Sequence, residues 1–299
     1  MASDHSGELP SPQAGTGDPA PAARGVCADA AMAAIQLLSN GRYHVMVTGA
    51  GGGYSRFRDL AVTRWREDGT CDDWGSFCYL RDVTRGRLWS ATFQPTLQQA
   101  DAGEVWFPQG SAVFSRRDHE IDTRTEIAVA PDDDVELRRV VVTNRSRERR
   151  TLDVTSYAKI VLAPPAADAA HPAFANVVIE TEIVRDFQAI LCKRRSRTHD
   201  DVTPWMFHRL SAHARNDVEV SYETDRMAFI GRGRTVANPQ AVHDNAPLSG
   251  RAGPVLDPVA AIRCRISLAP GETATVDLIS GIGQTRDACL AMAGKCRER

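Results

Sequence analysis

Residues 40–65 read NGRYHVMVTGAGGGYSRFRDLAVTRW. Tyr43, Val45 and Val47 alternate with His44, Met46 and Thr48, the two-residue period of a half-buried strand. The strand runs into Gly49-Ala50-Gly51-Gly52-Gly53, where the glycines allow positive φ and close approach to the backbone. Arg56, Arg58, Arg64 and Trp65 follow, so forked donors and an aromatic face flank a permissive loop. That mixture suits a polyhydroxylated ligand and equally suits a buried loop; both readings stay open on the residues alone.

Nucleotide readings fail here. A dinucleotide fingerprint needs a third glycine where Tyr54 stands and a helix after it, and a phosphate loop needs Gly-Lys-Ser/Thr. Residues 56–63 carry no helical apolar stripe.

Outward from the loop, the texture stays β. Strands are expected at Cys78–Asp82, Leu88–Phe93, Ile121–Val129, Val135–Thr143, Thr151–Leu162, Val177–Val184, Phe187–Cys192, Val218–Tyr222, Ala261–Leu268 and Ala274–Ile279. Thr84-Arg85-Gly86, Pro131-Asp132-Asp133 and Asn144-Arg145-Ser146 supply turns, and Pro270-Gly271 reads as a hairpin between the last two strands. Many strands in one run, with no helices alternating between them, give an antiparallel sandwich. Met32, Ile35 and Leu38 at helical spacing predict a short helix over Cys27–Leu38, ended by Ser39-Asn40-Gly41. Thr285 caps a closing helix through Cys289, Leu290 and Met292. Residues 1–26, rich in Pro, Ala, Gly and Ser, should be unstructured.

At 299 residues the chain can bury a large core. A formal charge of −2 exerts no general pull on nucleic acid or anionic membrane. No apolar run reaches the roughly 18 residues of a membrane span, and the N-terminus lacks the pattern of a secretion signal. Seven cysteines with no C-x-x-C pair point to a reduced, cytoplasmic, metal-free chain, with Cys264 a small buried hydrophobe.

No catalytic centre can be named from the residues. Asp72-Asp73 and Asp132-Asp133-Asp134 are sequence neighbours that point apart on a strand or turn, so they make no acid/base pair. His171 and His208 have no partner at metal-ligand spacing, and no G-x-S-x-G elbow is present. The basic run 193–197 is followed at once by Asp200-Asp201 and reads as a solvated hairpin tip. Trp65, Trp74, Trp89 and Trp106 cluster with Tyr54, Phe77 and Tyr79, enough to offer one sugar-stacking face or to fill a core. Gly231-Arg232-Gly233-Arg234 offers two guanidinium forks for carboxylate or phosphate, or a plain surface turn.

Six blocks carry a family resemblance: LLSNGRYHVMVTGAGGGYSRFRDLAVTRWRED, DDWGSFCYLRDV, LWSATFQPT, TSYAKIVLAPPAADAAHPAF, ETDRMAFIGRGRT and VLDPVAAIRCRISLAPGETATV. In this order the chain resembles the N-terminal β-domain of the inverting glycoside phosphorylases, glycoside hydrolase family 94 and formerly glycosyltransferase family 36. It is most similar to the phosphorylase-like region of cyclic β-1,2-glucan synthases. Gly49 and Phe57 stand where that pattern has Asn and Trp.

The resemblance implies an all-β fold: a large antiparallel β-supersandwich, galactose mutarotase-like, over residues 27–284, with short helices at both ends. Residues 285–299 would begin a linker helix toward an (α/α)6 barrel absent from this chain. In the family that barrel carries the general acid and most of the site for inorganic phosphate, a co-substrate, so no catalytic residue and no cofactor carries over. Expected partners are a β-glucan oligosaccharide, a helical-barrel catalytic domain and a second copy in a homodimer. Nucleic acid and membrane insertion are not expected. The chain is thus expected to be a truncated or split carbohydrate-binding β-domain, not catalytic alone, with a stand-alone glucan-binding module and a mutarotase-like enzyme as alternatives. Candidate sugar or interface contacts are Arg42, Tyr54, Ser55, Arg56, Trp65, Arg232 and Arg234.

Overall fold

The computed structural model describes residues 34–68, 70–196, 203–215 and 218–295; the segment 1–26, expected to be unstructured, lies outside them. In chain order the strands are β1 (Ile35–Ser39), β2 (Tyr43–Thr48), β3 (Gly53–Phe57), β4 (Leu60–Thr63), β5 (Ser76–Asp82), β6 (Arg87–Ser90), β7 (Ala102–Trp106), β8 (Ser111–Asp118) and β9 (Ile121–Val129). Then come β10 (Val135–Asn144), β11 (Arg150–Ala163), β12 (Ile179–Val184), β13 (Ala189–Arg194), β14 (Trp205–His213), β15 (Glu219–Asp225), β16 (Gly253–Pro254), β17 (Pro258–Leu268) and β18 (Thr273–Gly283). Helices α1 (Pro165–Ala170) and α2 (Pro172–Val177) follow β11, α3 (Arg226–Ile230) and α4 (Gln240–His243) follow β15, and α5 (Arg286–Lys295) follows β18.

The strands form two sheets of nine, all pairs antiparallel. The first runs β1-β2-β3-β4-β11-β17-β15, with β5 and β6 alongside the other half of β11. The second runs β16-β12-β13-β14-β18-β10-β9-β8-β7. The long β11 holds its sheet together by pairing β17 on one edge and both β4 and β5 on the other.

Alternation decides which face is covered. Leu152, Val154, Ile160 and Leu162 of β11, with Ile262, Cys264 and Ile266 of β17, meet Ile127, Val140, Val142, Val276 and Leu278 of the second sheet in one core. Each such aliphatic contributes about 1.5–3 kcal/mol by leaving water. The outer faces are covered unequally. Helices α3 and α4 lay Phe229, Ile230 and Val242 over Tyr79, Tyr157 and Val259 of the first sheet. Helix α5 lays Cys289 and Ala293 on Val135, Phe207 and Ile279 of the second. Thr285 Oγ1 accepts from the Ala288 N–H at 3.1 Å, as a cap should.

Two expectations need correction. Of the span predicted as helix, residues 27–33 lie outside the described ones, and Ile35–Leu38 belong to β1, which pairs along its whole length with β2. Gln36 Nε2 donates to the carbonyls of Pro108 (3.0 Å) and Ser111 (3.2 Å), so strand pairing and these anchors override a propensity worth only tenths of a kcal/mol per residue. Pro270-Gly271 is not a hairpin between paired strands. β17 belongs to the first sheet and β18 to the second, so the turn is an arch across the sandwich. Residues 144–146 form a parallel arch from β10 to β11. Buried Asn144 ties the two arches: its Nδ2 donates to Leu268 O (3.0 Å) and Glu148 O (2.7 Å), and its carbonyl accepts from Gly271 N (2.8 Å).

Candidate functional site

The glycine loop is explained by packing. Gly51 N donates to Thr48 O, Gly53 N to Trp74 O, and Thr48 Oγ1 to Asp72 Oδ2 at 2.6 Å. A Cβ on Gly51 would lie 2.2 Å from Thr92 Oγ1, on Gly52 2.1 Å from Asp72 Oδ1, and on Gly53 1.9 Å from the Met46 carbonyl. Residues 50–53 are buried. The close approach that the glycines permit is therefore to the protein's own Asp72, Thr92 and Met46.

Beyond the loop the chain builds an open surface. Register places Leu37, Met46 and Tyr54 in one row across β1, β2 and β3, and Ser39, His44 and Arg56 in the next. Together with Leu38, Val45 and Arg58, and without Met46, they line a groove of about 380 Å3, none of them a carboxylate. Tyr54 packs edge-on against Trp65, ring centroids 5.8 Å apart, and the Arg56 guanidinium lies 6.0 Å from the Tyr54 ring. His44 Nδ1 and Ser39 Oγ are 2.8 Å apart. An aromatic pair, two guanidinium forks and an imidazole on a sheet face can stack on and hydrogen-bond a hydroxyl-rich ligand. With no carboxyl group, the groove has no acid for glycosidic bond cleavage.

The other expected contacts fall elsewhere. Arg42 is held by Asp134 Oδ1 at 2.9 Å and the Asp132 carbonyl at 3.3 Å, fastening the β1–β2 turn to the β9–β10 turn. Ser55 faces inward and donates to Glu136 Oε2 at 2.7 Å, beside Arg138. Burial, then Glu136, lifts the neighbouring Tyr43 phenol well above its usual range. Arg232 and Arg234 do not line the groove; Arg234 Nη1 lies 3.4 Å from Asn238 Oδ1 in a turn anchored by Tyr79 Oη to Val236 O, 2.7 Å. The tryptophans divide: Trp89 is core, whereas Trp65 and Trp106 are half-buried, Trp106 under the Arg124 guanidinium at 5.2 Å.

Two polar assemblies escaped the sequence reading. His208 is buried between the sheets, 2.8 Å from both Ser156 Oγ and Ser280 Oγ; burial, with Arg138 nearby, pushes its pKa down to about 4. On the outer face of the first sheet, Arg64, Asp168, Asn176, Lys159, Asp257 and Arg226 join residues up to 162 positions apart. The motifs TRWR and APPAAD were visible, but nothing local signals that they meet. The buried thiols Cys78 and Cys192 are pushed up to about 12 by burial and are poor nucleophiles. Among the described residues, no group of three or more His, Cys, Asp or Glu could hold a metal ion. No helix among them is long and apolar enough to cross a membrane.

Two nine-stranded antiparallel sheets, packed face to face and joined by arches, define a β-supersandwich. The chain belongs to the glycosyl hydrolase 94 family: the model of that family's supersandwich domain matches residues 27–299. Over 240 residues it is 37% identical to the cyclic beta-(1,2)-glucan synthase NdvB of Rhizobium meliloti (strain 1021), covering 80% of this chain and 8% of that protein. It is 25% identical over 264 residues to the N,N'-diacetylchitobiose phosphorylase of Vibrio proteolyticus, covering 83% of this chain and 30% of that one. The chain thus spans well under half of each relative. A solved bacterial glucoamylase complexed with acarbose overlays 90% of this chain and 33% of its own at TM-score 0.47 and 10% identity, too loose a likeness to argue from.

Proposed function

We infer that this chain is the carbohydrate-binding and structural β-domain of a glucan phosphorylase or cyclic β-1,2-glucan synthase-type glycosyltransferase, and that it breaks no glycosidic bond by itself. The observation that carries this reading is the groove of Tyr54, Arg56, His44 and Arg58 beside Trp65: it has stacking and hydrogen-bonding groups but no carboxylate. The 37% identity to a cyclic beta-(1,2)-glucan synthase supports a β-1,2-glucan as the sugar. The helical barrel that the family resemblance implies is the partner this reading assigns, with β-1,2-linked glucan as ligand.

A phosphorolysis assay separates binding from chemistry. Purified chain with β-1,2-gluco-oligosaccharide and inorganic phosphate should release no sugar phosphate; release by the chain alone would refute the non-catalytic part. The same groove also serves a stand-alone glucan-binding module, which differs only in needing no barrel to bind.

A mutarotase-like activity has less support. On the open half of the second sheet, His213 Nε2 lies 3.9 Å from Asp277 Oδ2. Arg139 already clamps both oxygens of Asp277 at 2.8 and 2.9 Å, so that carboxylate is engaged by a guanidinium fork and not presented to a sugar.

A further inference from the structure

Half of the second sheet is bare on its outer side. Helix α5 covers Val135, Phe207 and Ile279, while the outer face of β7 to β10 carries a groove of about 620 Å3, within the size range of ligand sites. Cross-strand register makes it one surface. Glu104, Ser115, Arg124 and Val141 stand side by side on β7, β8, β9 and β10, and Arg117, Asp122 and Thr143 form the next row. All of them line the groove.

Its long side chains are already held in place, which lowers the entropy cost of binding. Arg117 forks onto Asp122 through Nε (2.5 Å) and Nη2 (3.0 Å), and Arg145 Nε reaches the same carboxylate at 2.7 Å. The Arg124 guanidinium lies 5.2 Å from the centroid of the Trp106 ring and comes no nearer to Glu126 than 4.0 Å. Among the described residues, no side-chain hydrogen bond is made by Arg124, by the Glu104 carboxylate or by the Ser115 hydroxyl. Glu104 and Arg124 stand two strands apart, about 10 Å at the backbone, and are not paired with each other. A free acceptor and a free donor thus face one another over a floor of Ser115 and Val141.

The charges of the groove select no ionic ligand. Arg116 is matched by Asp118 and Arg124 by Glu126, Arg117 and Arg145 share Asp122, and Glu104 offsets the remaining cation. Beyond the rim, Arg139 is matched by Asp277, and Asp101 accepts from the His119 N–H. None of the large exposed apolar side chains among the described residues (Ile35, Leu37, Leu97, Phe174, Met227 and Leu256) lines the groove, so it offers no apolar core to a protein partner. A neutral ligand whose groups both donate and accept remains, and sugar hydroxyls do both.

We propose that this groove is a second saccharide site, on the opposite sheet from Tyr54. Glu104 accepts from, and Arg124 donates to, hydroxyls of a neutral glucan segment, with Ser115 between them and Trp106 at the rim. The two grooves share no lining residue, and only the choice of glucan among neutral saccharides rests on the function proposed above.

Titration of the Y54A/W65A chain with β-1,2-gluco-oligosaccharide isolates this site. That chain should still bind. Adding E104A or R124A to it should weaken the residual binding at least about tenfold at unchanged Tm, and added salt should leave the residual binding as it was. Glu104 is exposed and without a partner, so E104A removes no contact of the fold. Loss of all binding in Y54A/W65A would overturn the second site and keep the first. Residual binding indifferent to both E104A and R124A, or weakened by salt, would also overturn it. Binding by the parent chain that E104A/R124A removes and Y54A/W65A leaves intact would keep this site and reject the Tyr54 groove. No binding by the parent chain would reject both.

Discussion

His208 Nε2 lies 2.8 Å from Ser156 Oγ, joining β14 of one sheet to β11 of the other through the middle of the sandwich. Ser156 Oγ donates onward to Ile262 O at 3.3 Å, leaving it to accept from the imidazole N–H, while Nδ1 accepts from Ser280. One neutral tautomer satisfies both contacts. Protonation would bury a charge there, beside Arg138, which is why the folded-state pKa falls to about 4.

A pKa below the unfolded value of ~6.5 means the unfolded chain takes up the proton first. The stability held by neutral His208 is therefore intact above about pH 6.5 and drains away as the pH falls toward 4. Between pH 7.5 and 5 the loss from this residue should be about 2 kcal/mol, read by urea denaturation. H208Q should flatten that part of the pH profile, and an unchanged slope would remove His208 as its source.

Asp82 and Arg150 form a fully buried ion pair, Oδ2 to Nε 3.2 Å, both side chains 0% exposed. Asp82 also caps the β5–β6 turn by accepting from Thr84 N and Arg85 N, both at 3.0 Å. D82A should cost about 3–5 kcal/mol, because Arg150 is left charged and unpaired. The double variant D82L/R150M should recover part of that loss in denaturant titrations; recovery is the signature of an orphaned charge.

Gly53 and Gly110 both have positive φ, +145° and +81°, but only Gly53 has a backbone carbonyl where its Cβ would go. G110A should cost about 1 kcal/mol from backbone strain alone. G53A adds the collision with Met46 O and should cost roughly 2–5 kcal/mol. Similar losses for the two would mean that the loop shifts freely, against the packing described.

The strand content was legible because one face of each long strand is apolar: Ile121–Val129 and Val135–Asn144 lie within a residue of where their alternation puts them. What local pattern could not carry was sheet membership. Pro270-Gly271 uses the same turn chemistry whether the next strand pairs with the last or crosses to the other sheet. Asn144, which settles the matter, is bonded to a residue 124 positions away. For the same reason Ser55 read as a loop contact while its hydroxyl is committed to Glu136, 81 positions on. Of the expected site residues, Tyr54 and Arg56 come together with Trp65 because β3 presents alternate residues to one face and Trp65 follows close behind β4. The Gly231–Arg234 turn, tethered to β5 through Val236, does not join them.

The groove is the part of the functional reading that a single titration reaches. Calorimetry of the purified chain with β-1,2-gluco-oligosaccharide should give measurable binding. Y54A and W65A should each weaken it about three- to tenfold, the worth of one aromatic face, at unchanged folding. No heat at millimolar oligosaccharide, or binding indifferent to both substitutions, would contradict the assignment of this face to sugar.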